Sequence, residues 1–470
     1  MTALTIHLEN PRTPNSAAAD RGSSMFAIPL TAEQESMLFL NGIFGPGIFH
    51  NISFGLPVPD SVDDDAVAAA AGRLVARHDS LRTSLIGTST LVQGLHSEIP
   101  VLHRTPAAPQ DTAAAVIRRR NTLRDVKTST GPVHLELVGE SGGASRQLLG
   151  MVDHFASDGY STRILHADLE ALLRGREPAP VASFWELQRA RRGKSGGVER
   201  EIAHWTEALS GITGLNGFMP RALDRSDYIC SQVDRDIPGE GPDRAVRHLV
   251  EVCGGTPFTV IAVLLAVALW RRTGRRDVLL NTPVSTRKDA ADWKTVGNFA
   301  LDRPIPCRID PDQPVAALVR RVQVDTLQAM RRCRVSVPEL ACEVPEYAAS
   351  LLAPGADYLQ LHVDVDVDPD VSPSSAYSTE PVRLCPFRPA HDLTVTTLRF
   401  EISRAGLATR TFFGGPPDGL AHAAELLTDV LALLETVGDG SDTTGALADT
   451  LDVPGNRAGR PPVSLEADGH

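Results

Sequence analysis

The sequence predicts an α/β (α+β) protein built as two lobes, and two features carry that prediction. Short apolar runs of strand length alternate with longer segments whose apolar residues recur every three or four positions. This alternation fills the first half of the chain, breaks over a polar and basic stretch at 176–200, and resumes through the second half. A length of 470 residues suits two or three domains, or one large two-lobed unit. With 42% hydrophobic and 22% charged residues, either arrangement has ample core.

Residues 1–24, rich in Pro, Ser, Ala and Asn, read as disordered. The first lobe is assigned to 25–185, a linker to 186–200, the second lobe to 201–437, and a flexible tail without periodicity to 438–470. Thr31 suits a helix N-cap, with Gln34 completing a capping box. That helix carries Met37, Leu38 and Leu40 before a loop at 41–47, and an extended stretch follows at 52–56. Residues 61–77 read as a helix whose Asp63, Asp64 and Asp65 lie in the first turn and whose Arg73 and Arg77 lie near the end, as the helix dipole favours. Strands are expected at 91–93 and 101–103, a helix at 111–126, and a hairpin of strands 133–138 and 147–152 turning through 140–145. The basic, Gly-rich stretch 189–200 reads as solvated linker, and 202–209 as helix.

In the second half, Thr256 and Pro257 open an apolar helix at 258–272, where Pro is tolerated because the first turn lacks N–H partners. A buried strand at 278–280, a helix at 314–332 and a final helix at 417–437 are expected. Residues 359–367 alternate Val and Asp and read as a strand with one wet face, and 393–402 with 408–413 as a hairpin. Asp364, Asp366 and Asp368 are spaced like a calcium loop, but the glycine and late glutamate of an EF-hand are missing, so no metal is expected.

A net charge of −12 argues against a nucleic-acid partner. No signal peptide is legible, and the longest apolar run, VIAVLLAVALW at 260–270, is too short to span a bilayer. The expectation is a cytoplasmic protein without membrane contact. The six cysteines (Cys230, Cys253, Cys307, Cys333, Cys342 and Cys385) lack CxxC spacing, which suggests neither a zinc site nor a disulfide framework.

The stretch QLLGMVDHFASDGYSTRILHADLEALL, at 147–173, concentrates the chemistry. Its apolar strand breaks into Asp153-His154-Phe155-Ala156-Ser157-Asp158-Gly159, then resumes at helical spacing through Ile164, Leu165, Leu169, Leu172 and Leu173. His154 therefore sits where a buried strand hands over to a helix, a place that presents side chains at a sheet rim. An imidazole there can accept and return a proton near pH 7. Gly159 permits close approach of backbone or substrate. Asp158 and Ser161 are both suited to cap the helix, and spacing alone leaves His154 open between a hydrogen-bonded loop residue and a reacting one. No GxSxG elbow and no Cys–His pattern point to covalent catalysis.

Several motifs in order resemble those of the condensation domains of nonribosomal peptide synthetases, the HHxxxDG family, which share a fold with chloramphenicol acetyltransferase. The stretch LTAEQESML at 30–38 is similar to the family's opening motif, RHDSLRT at 77–83 to the second, MVDHFASDGYS at 151–161 to the HHxxxDG signature, and VGNFALDRPIPCR at 296–308 to the fifth. Thr256-Pro257-Phe258 and residues 281–287 fall between them as expected, and the resemblance runs from about 30 to 437. Asp153 replaces the first His of the signature, and a carboxylate there would raise the pKa of His154. The last two motifs, near 332–344 and 348–355, are not legible, which leaves the acceptor unidentified.

The resemblance implies two acetyltransferase-like lobes forming a V-shaped pseudo-dimer with a tunnel between them. It implies a free-standing, monomeric condensation enzyme whose partners are peptidyl or acyl carrier proteins. Phosphopantetheine-bound substrates would enter from both ends, with an acceptor amine or hydroxyl attacking a donor thioester and no further cofactor. His154 would take the acceptor proton or hold the nucleophile, and the Gly159 N–H would face the oxyanion. Asp158 would pair with Arg287 to hold the loop, and Asn298 would line the site. Two alternatives share the fold: an acyltransferase using a soluble acceptor or a coenzyme A thioester, and an inactive docking platform.

Overall fold

Among the described residues, three sheets and two main hydrophobic cores organise the fold. The computed structural model describes residues 27–45, 51–86, 92–95, 102–105, 131–139, 146–192, 196–213, 216–219, 225–365, 382–387, 389–437 and 442–451. The expected disordered stretch 1–24, the helix at 111–126, the turn at 140–145, Asp366, Asp368 and residues 452–470 lie outside these.

In the first half, β1 (Ala27–Pro29), β3 (Thr83–Ile86) and β4 (Val92–Leu95) form one sheet in the order β1-β4-β3. Strands β2 (Asn51–Pro57), β5 (His103–Thr105), β6 (Val133–Val138) and β7 (Gln147–Asp153) form another in the order β2-β7-β6-β5. The expected β6–β7 hairpin pairs antiparallel. Helices α2 (Asp64–Arg77) and α3 (Ser161–Leu173) cover this second sheet, placing Val67, Leu74, Leu165 and Leu169 against Val133, Leu135, Leu148, Val152 and Phe155. Helix α2 begins three residues later than the charge pattern suggested, because Asp63 is its cap, accepting from the Ala66 N–H at 2.8 Å.

The motif RHDSLRT ties the end of α2 to α3 and to the residues at 184–185. Arg77 Nε donates to Asp168 at 2.7 Å, and His78 Nε2 lies 3.0 Å from the same carboxylate oxygen. Asp79 accepts from the Phe184 N–H at 3.0 Å, and the Trp185 indole donates to Thr83 Oγ1 at 3.1 Å.

The second half is built on a seven-stranded mixed sheet in the order β10-β9-β11-β13-β14-β8-β12. Its strands are β8 (Ile229–Pro238), β9 (Asp277–Ser285), β10 (Ala300–Arg308), β11 (Ala356–Val365), β12 (Val382–Pro386), β13 (Leu393–Ser403) and β14 (Gly406–Gly415). The helices are α4 (Phe184–Arg192), α5 (Val198–Leu209), α6 (Gly241–Cys253), α7 (Pro257–Thr273), α8 (Val315–Arg331), α9 (Val337–Glu343), α10 (Pro345–Leu352), α11 (Gly419–Thr436) and α12 (Thr444–Asp449). Thr256 caps α7 through a capping box, and every residue of α7 from Thr259 to Leu269 is buried. A helix apolar on all sides must lie inside, and α7 packs against α8, α11 and the sheet. Among the described residues no single helix is long and apolar enough to cross a membrane.

Three findings depart from the sequence expectations. Helix α1 (Ala32–Phe44), capped by Thr31 and Gln34 as expected, does not stop for a loop at Asn41. It continues because Leu40, Ile43 and Phe44 are buried in the core of the second half, where the Phe44 ring centroid lies 5.1 Å from that of Tyr358. Conversely, Val296 from the second half sits in the core of the first. The segment after 438, expected to be mobile, contains α12, whose Leu447 and Ala448 enter the larger core with Leu451. Finally, β11 runs between β9 and β13, and the face expected to be wet is only partly so: the Asp364 side chain is 40% exposed, Gln360 and His362 are partly accessible, and Tyr358 is buried.

Candidate active site

Strand β7 ends at Asp153, and the chain turns through His154 before α3 begins at Ser161. Asp153 is buried and its carboxylate accepts from the Phe155 N–H at 2.8 Å, which fixes the turn. The expected effect of Asp153 on His154 is corrected here. The pKa of His154 is lowered below 6.5, chiefly by burial; its own backbone and the charges of Asp158 and Asp302 oppose this, and Asp153 is not among the causes. Protein encloses the imidazole, yet the residue keeps part of its surface accessible; Nδ1 is buried and bonds to no other residue. His154 is thus a neutral imidazole whose Nδ1 is buried and bonded to no other residue.

Asp158 is held by five hydrogen bonds. Arg287 Nη2 donates to both carboxylate oxygens at 2.8 and 2.9 Å. The Ser161 N–H and hydroxyl both donate to Oδ1 at 2.7 Å, and the Phe299 N–H donates to Oδ2 at 3.1 Å. Asp158 therefore satisfies the start of α3 while it pairs with Arg287. The guanidinium also donates to the carbonyls of Thr295, at 2.8 Å, and Asp292, and lies over the rings of Phe299 at 4.1 Å and Tyr160 at 4.9 Å. This clasp joins the His154 turn to the segment between β9 and β10, 129 residues away.

Ser161 closes the clasp from the other side: its hydroxyl lies 3.0 Å from the Gly297 carbonyl and 3.1 Å from the Gly297 N–H. A Cβ at Gly297 would stand only 2.2 Å from the Phe184 ring, so only glycine lets α4 and this loop meet. Gly297→Ala is expected to cost about 1–3 kcal/mol by overpacking, measured as a lower denaturation midpoint. Gly159 is exposed, and a Cβ there would meet nothing within 4 Å. Asn298 is fully buried, and its Oδ1 accepts from the Ala300 N–H at 3.0 Å. It supports the entry to β10 and does not reach an accessible surface, contrary to its expected lining position.

Four residues escaped the sequence reading. Asp302 on β10 accepts from the Tyr358 hydroxyl and, at 3.0 and 2.9 Å, from the Gln360 amide on β11. Gln360 Oε1 lies 3.0 Å from His362 Nε2. Tyr358, Gln360 and His362 alternate with Leu359 and Leu361, so they share one face of β11. This was the available signal: the alternation was legible, whereas what covers the polar face was not. The charges of His154 and Asp302 act on each other, and that of His154 acts on His362, which places the polar face within electrostatic reach of His154. Burial, then the Arg399 cation, pulls the pKa of His362 down to about 3, so it is neutral in ordinary conditions. Among the described residues, no group of three or more His, Cys, Asp and Glu is placed to hold a metal ion.

A uniformly buried α7 behind a mixed seven-stranded sheet, with a histidine at the end of β7 in the other half, defines a chloramphenicol acetyltransferase-like fold. The condensation-domain pattern matches residues 26–352, and the chain belongs to that family. It is 27% identical over 339 residues to the phosphinothricin tripeptide synthetase PhsC of Streptomyces viridochromogenes, a match covering 68% of this chain and 31% of that protein. The first relatives it matches are far longer. It is 26% identical over 283 residues to tyrocidine synthase 3 of Brevibacillus parabrevis, which is 58% of this chain and only 4% of that protein. Among solved structures, the X-domain of teicoplanin biosynthesis in complex with OxyB superposes with a TM-score of 0.66 at 22% identity, covering 92% of this chain and 97% of that one. The condensation domain of the monacolin K polyketide synthase MokA gives 0.68 at 17% identity, covering 90% and 99%.

Proposed function

We propose that this condensation domain joins an acyl group, presented as a thioester on the phosphopantetheine arm of a carrier protein, to an acceptor amine or hydroxyl. The observation that carries the reading is His154 itself, at the end of β7: largely enclosed yet partly accessible, and held below its ordinary pKa chiefly by burial. A neutral imidazole can remove the proton from the attacking amine or hydroxyl as the new C–N or C–O bond forms, and can return it to the departing thiolate. The N–H of Gly159, an exposed residue of the same turn, is assigned to the developing oxyanion. Asp158, Arg287 and Ser161 hold the turn in register, so alignment of the two tethered reactants supplies much of the remaining acceleration. In this reading the two cores are lobes of a V with the substrate tunnel between them. The arm belongs to the carrier, no further cofactor takes part, and the enzyme acts in the cytoplasm as a monomer.

The test is intact-mass spectrometry of an acyl-loaded carrier protein incubated with candidate amines and alcohols, with wild type and His154→Ala side by side. Transfer by wild type alone supports the reading and shows whether N or O attacks. Equal background transfer by both proteins, with the carrier still bound, would favour a docking platform, the reading suggested by likeness to an X-domain solved with OxyB.

The lowered pKa of His154 sets the pH dependence. The free base is required, and it persists until pH falls through the lowered value. Condensation is therefore expected to hold its rate below pH 6.5 and to lose it at more acidic pH, read from single-turnover rates across pH. An acidic limb above 6.5 would contradict a base kept neutral by burial.

A further inference from the structure

We propose that the aromatic pair Tyr160 and Trp293, with the cations Arg163 and Lys294, is the docking surface for the phosphopantetheinylated serine of a carrier protein. This rests on the condensation reading above and adds the surface that receives the carrier.

The patch is built from two segments that the Asp158–Arg287 clasp joins: 159–163, at the end of the His154 turn, and 288–294, between β9 and β10. The rings of Tyr160 and Trp293 meet edge to face, with centroids 4.9 Å apart. The Arg287 guanidinium lies 4.9 Å from the Tyr160 centroid and 4.1 Å from that of Phe299. A row of Phe299, Arg287, Tyr160 and Trp293 therefore runs from the core to the surface, since Phe299 is fully buried and Trp293 is 42% exposed. Among the described residues the exposed large hydrophobic side chains are Trp293, Val324, Leu327, Met330 and Val365, and Trp293 is the aromatic one. An indole left open to solvent forgoes favourable burial, and aromatic side chains are enriched where partners bind.

The charge around the indole selects the partner. The exposed charged residues of the two segments are Arg163, Lys288, Lys294 and Asp289, three cations against one anion, on a chain whose net charge is −12. The other carboxylates here are already engaged. Asp158 pairs with Arg287, and Asp292 pairs with Arg191 and accepts from the N–H groups of Lys288 and Asp289 at 2.7 and 3.0 Å. Arg163 Cζ lies 6.0 Å from the Tyr160 centroid, and neither Arg163 nor Lys294 forms an ion pair among the described residues.

The root of a phosphopantetheine arm is a phosphodiester, charged at any ordinary pH, beside a carbon that bears two methyl groups. Cations next to an aromatic wall match both parts: Arg163 and Lys294 take the phosphate, and Trp293 covers the methyl groups. A second copy of this chain fits poorly, because a two-fold contact would set the same cations against each other. Gly159, Arg163, Lys288, Asp289, Ala290, Trp293 and Lys294 are all exposed, so the patch is open surface, as docking of a protein-borne arm requires. It borders the turn that carries His154, where the thioester must arrive.

The test is calorimetric titration of the full-length protein with the acyl-loaded carrier of the transfer assay, with the same carrier lacking its arm, and with coenzyme A. Trp293→Ala is expected to weaken binding of the loaded carrier about tenfold. Arg163→Gln combined with Lys294→Gln should weaken it about fivefold and flatten its dependence on salt. This second variant removes no ion pair among the described residues, so it decides the matter if Trp293→Ala does not fold. Both variants should bind the arm-less carrier as wild type does. At saturating carrier both should transfer at the wild-type single-turnover rate, so that the loss falls on KM and not on kcat.

Unchanged affinity of the loaded carrier in both variants overturns the proposal, as does a wild type that does not bind it. So does a loss confined to coenzyme A, which would make the patch a site for the free coenzyme. An equal loss on the arm-less carrier also overturns it, because the patch would then read the carrier's own surface and not its arm. If wild type binds the loaded carrier through the patch but transfers nothing, the condensation reading fails and the docking surface stands. Transfer by all three proteins with equal KM removes the docking surface alone.

Discussion

His154→Ala is expected to lower the rate of acyl transfer by about 10²–10⁴-fold while leaving the fold and carrier binding intact. The fold should survive because the imidazole makes few commitments: Nδ1 has no partner, and the residue stays partly accessible. The turn is held instead by Asp153 on the Phe155 N–H and by Asp158 on the start of α3. The loss should fall on the chemical step, since the neutral base is removed and its surroundings are not. The measurement is single-turnover conversion by intact mass, beside thermal unfolding of both proteins. A variant that folds like wild type and transfers at the same rate would end the assignment of His154 as the base.

Asp158→Ala is expected to lose activity and about 3–5 kcal/mol of stability. The side chains of Arg287 and Asp158 are 0% and 6% exposed, so removing the carboxylate strands a buried guanidinium. It also strips the Ser161 N–H and the Phe299 N–H of their acceptor, which loosens the start of α3 and the entry to β10 together. The clasp joins the first half to the second, so the damage should reach the placement of His154 and lower kcat even where the protein still folds. Asp158→Ala combined with Arg287→Met should recover part of the lost stability, because no uncompensated charge then remains, but none of the activity. Urea unfolding of both variants decides it. An Asp158→Ala protein as stable and as active as wild type would show that the clasp holds nothing.

Much of this was legible in the chain. The capping boxes at Thr31 and Thr256 and the all-round apolar α7 are local patterns, written within a few residues and enforced by backbone hydrogen bonding and burial. The DHxxxDG stretch announced both a strand-to-helix turn and the residues presented there. The pairing of Asp158 with Arg287 spans 129 positions and came from family resemblance, since no local rule connects residues so far apart.

What the sequence by itself determined is therefore the fold class, part of the set of elements and the turn that carries His154; β8, α6, β10, α9 and α10 went unread. Tertiary structure decided where the faces of those elements point. Alternation shows that Tyr358, Gln360 and His362 share a face of β11, but the same pattern describes a strand wetted by solvent and one lining an enclosed space. Only the assembled sheet sets β11 between β9 and β13 and brings Asp302, from β10, to that face. In the same way, the apolar end of α1 and the residues of α12 could not name the core they enter. Hydrophobic burial is non-directional, and the partner surface exists only once the distant parts of the chain have assembled.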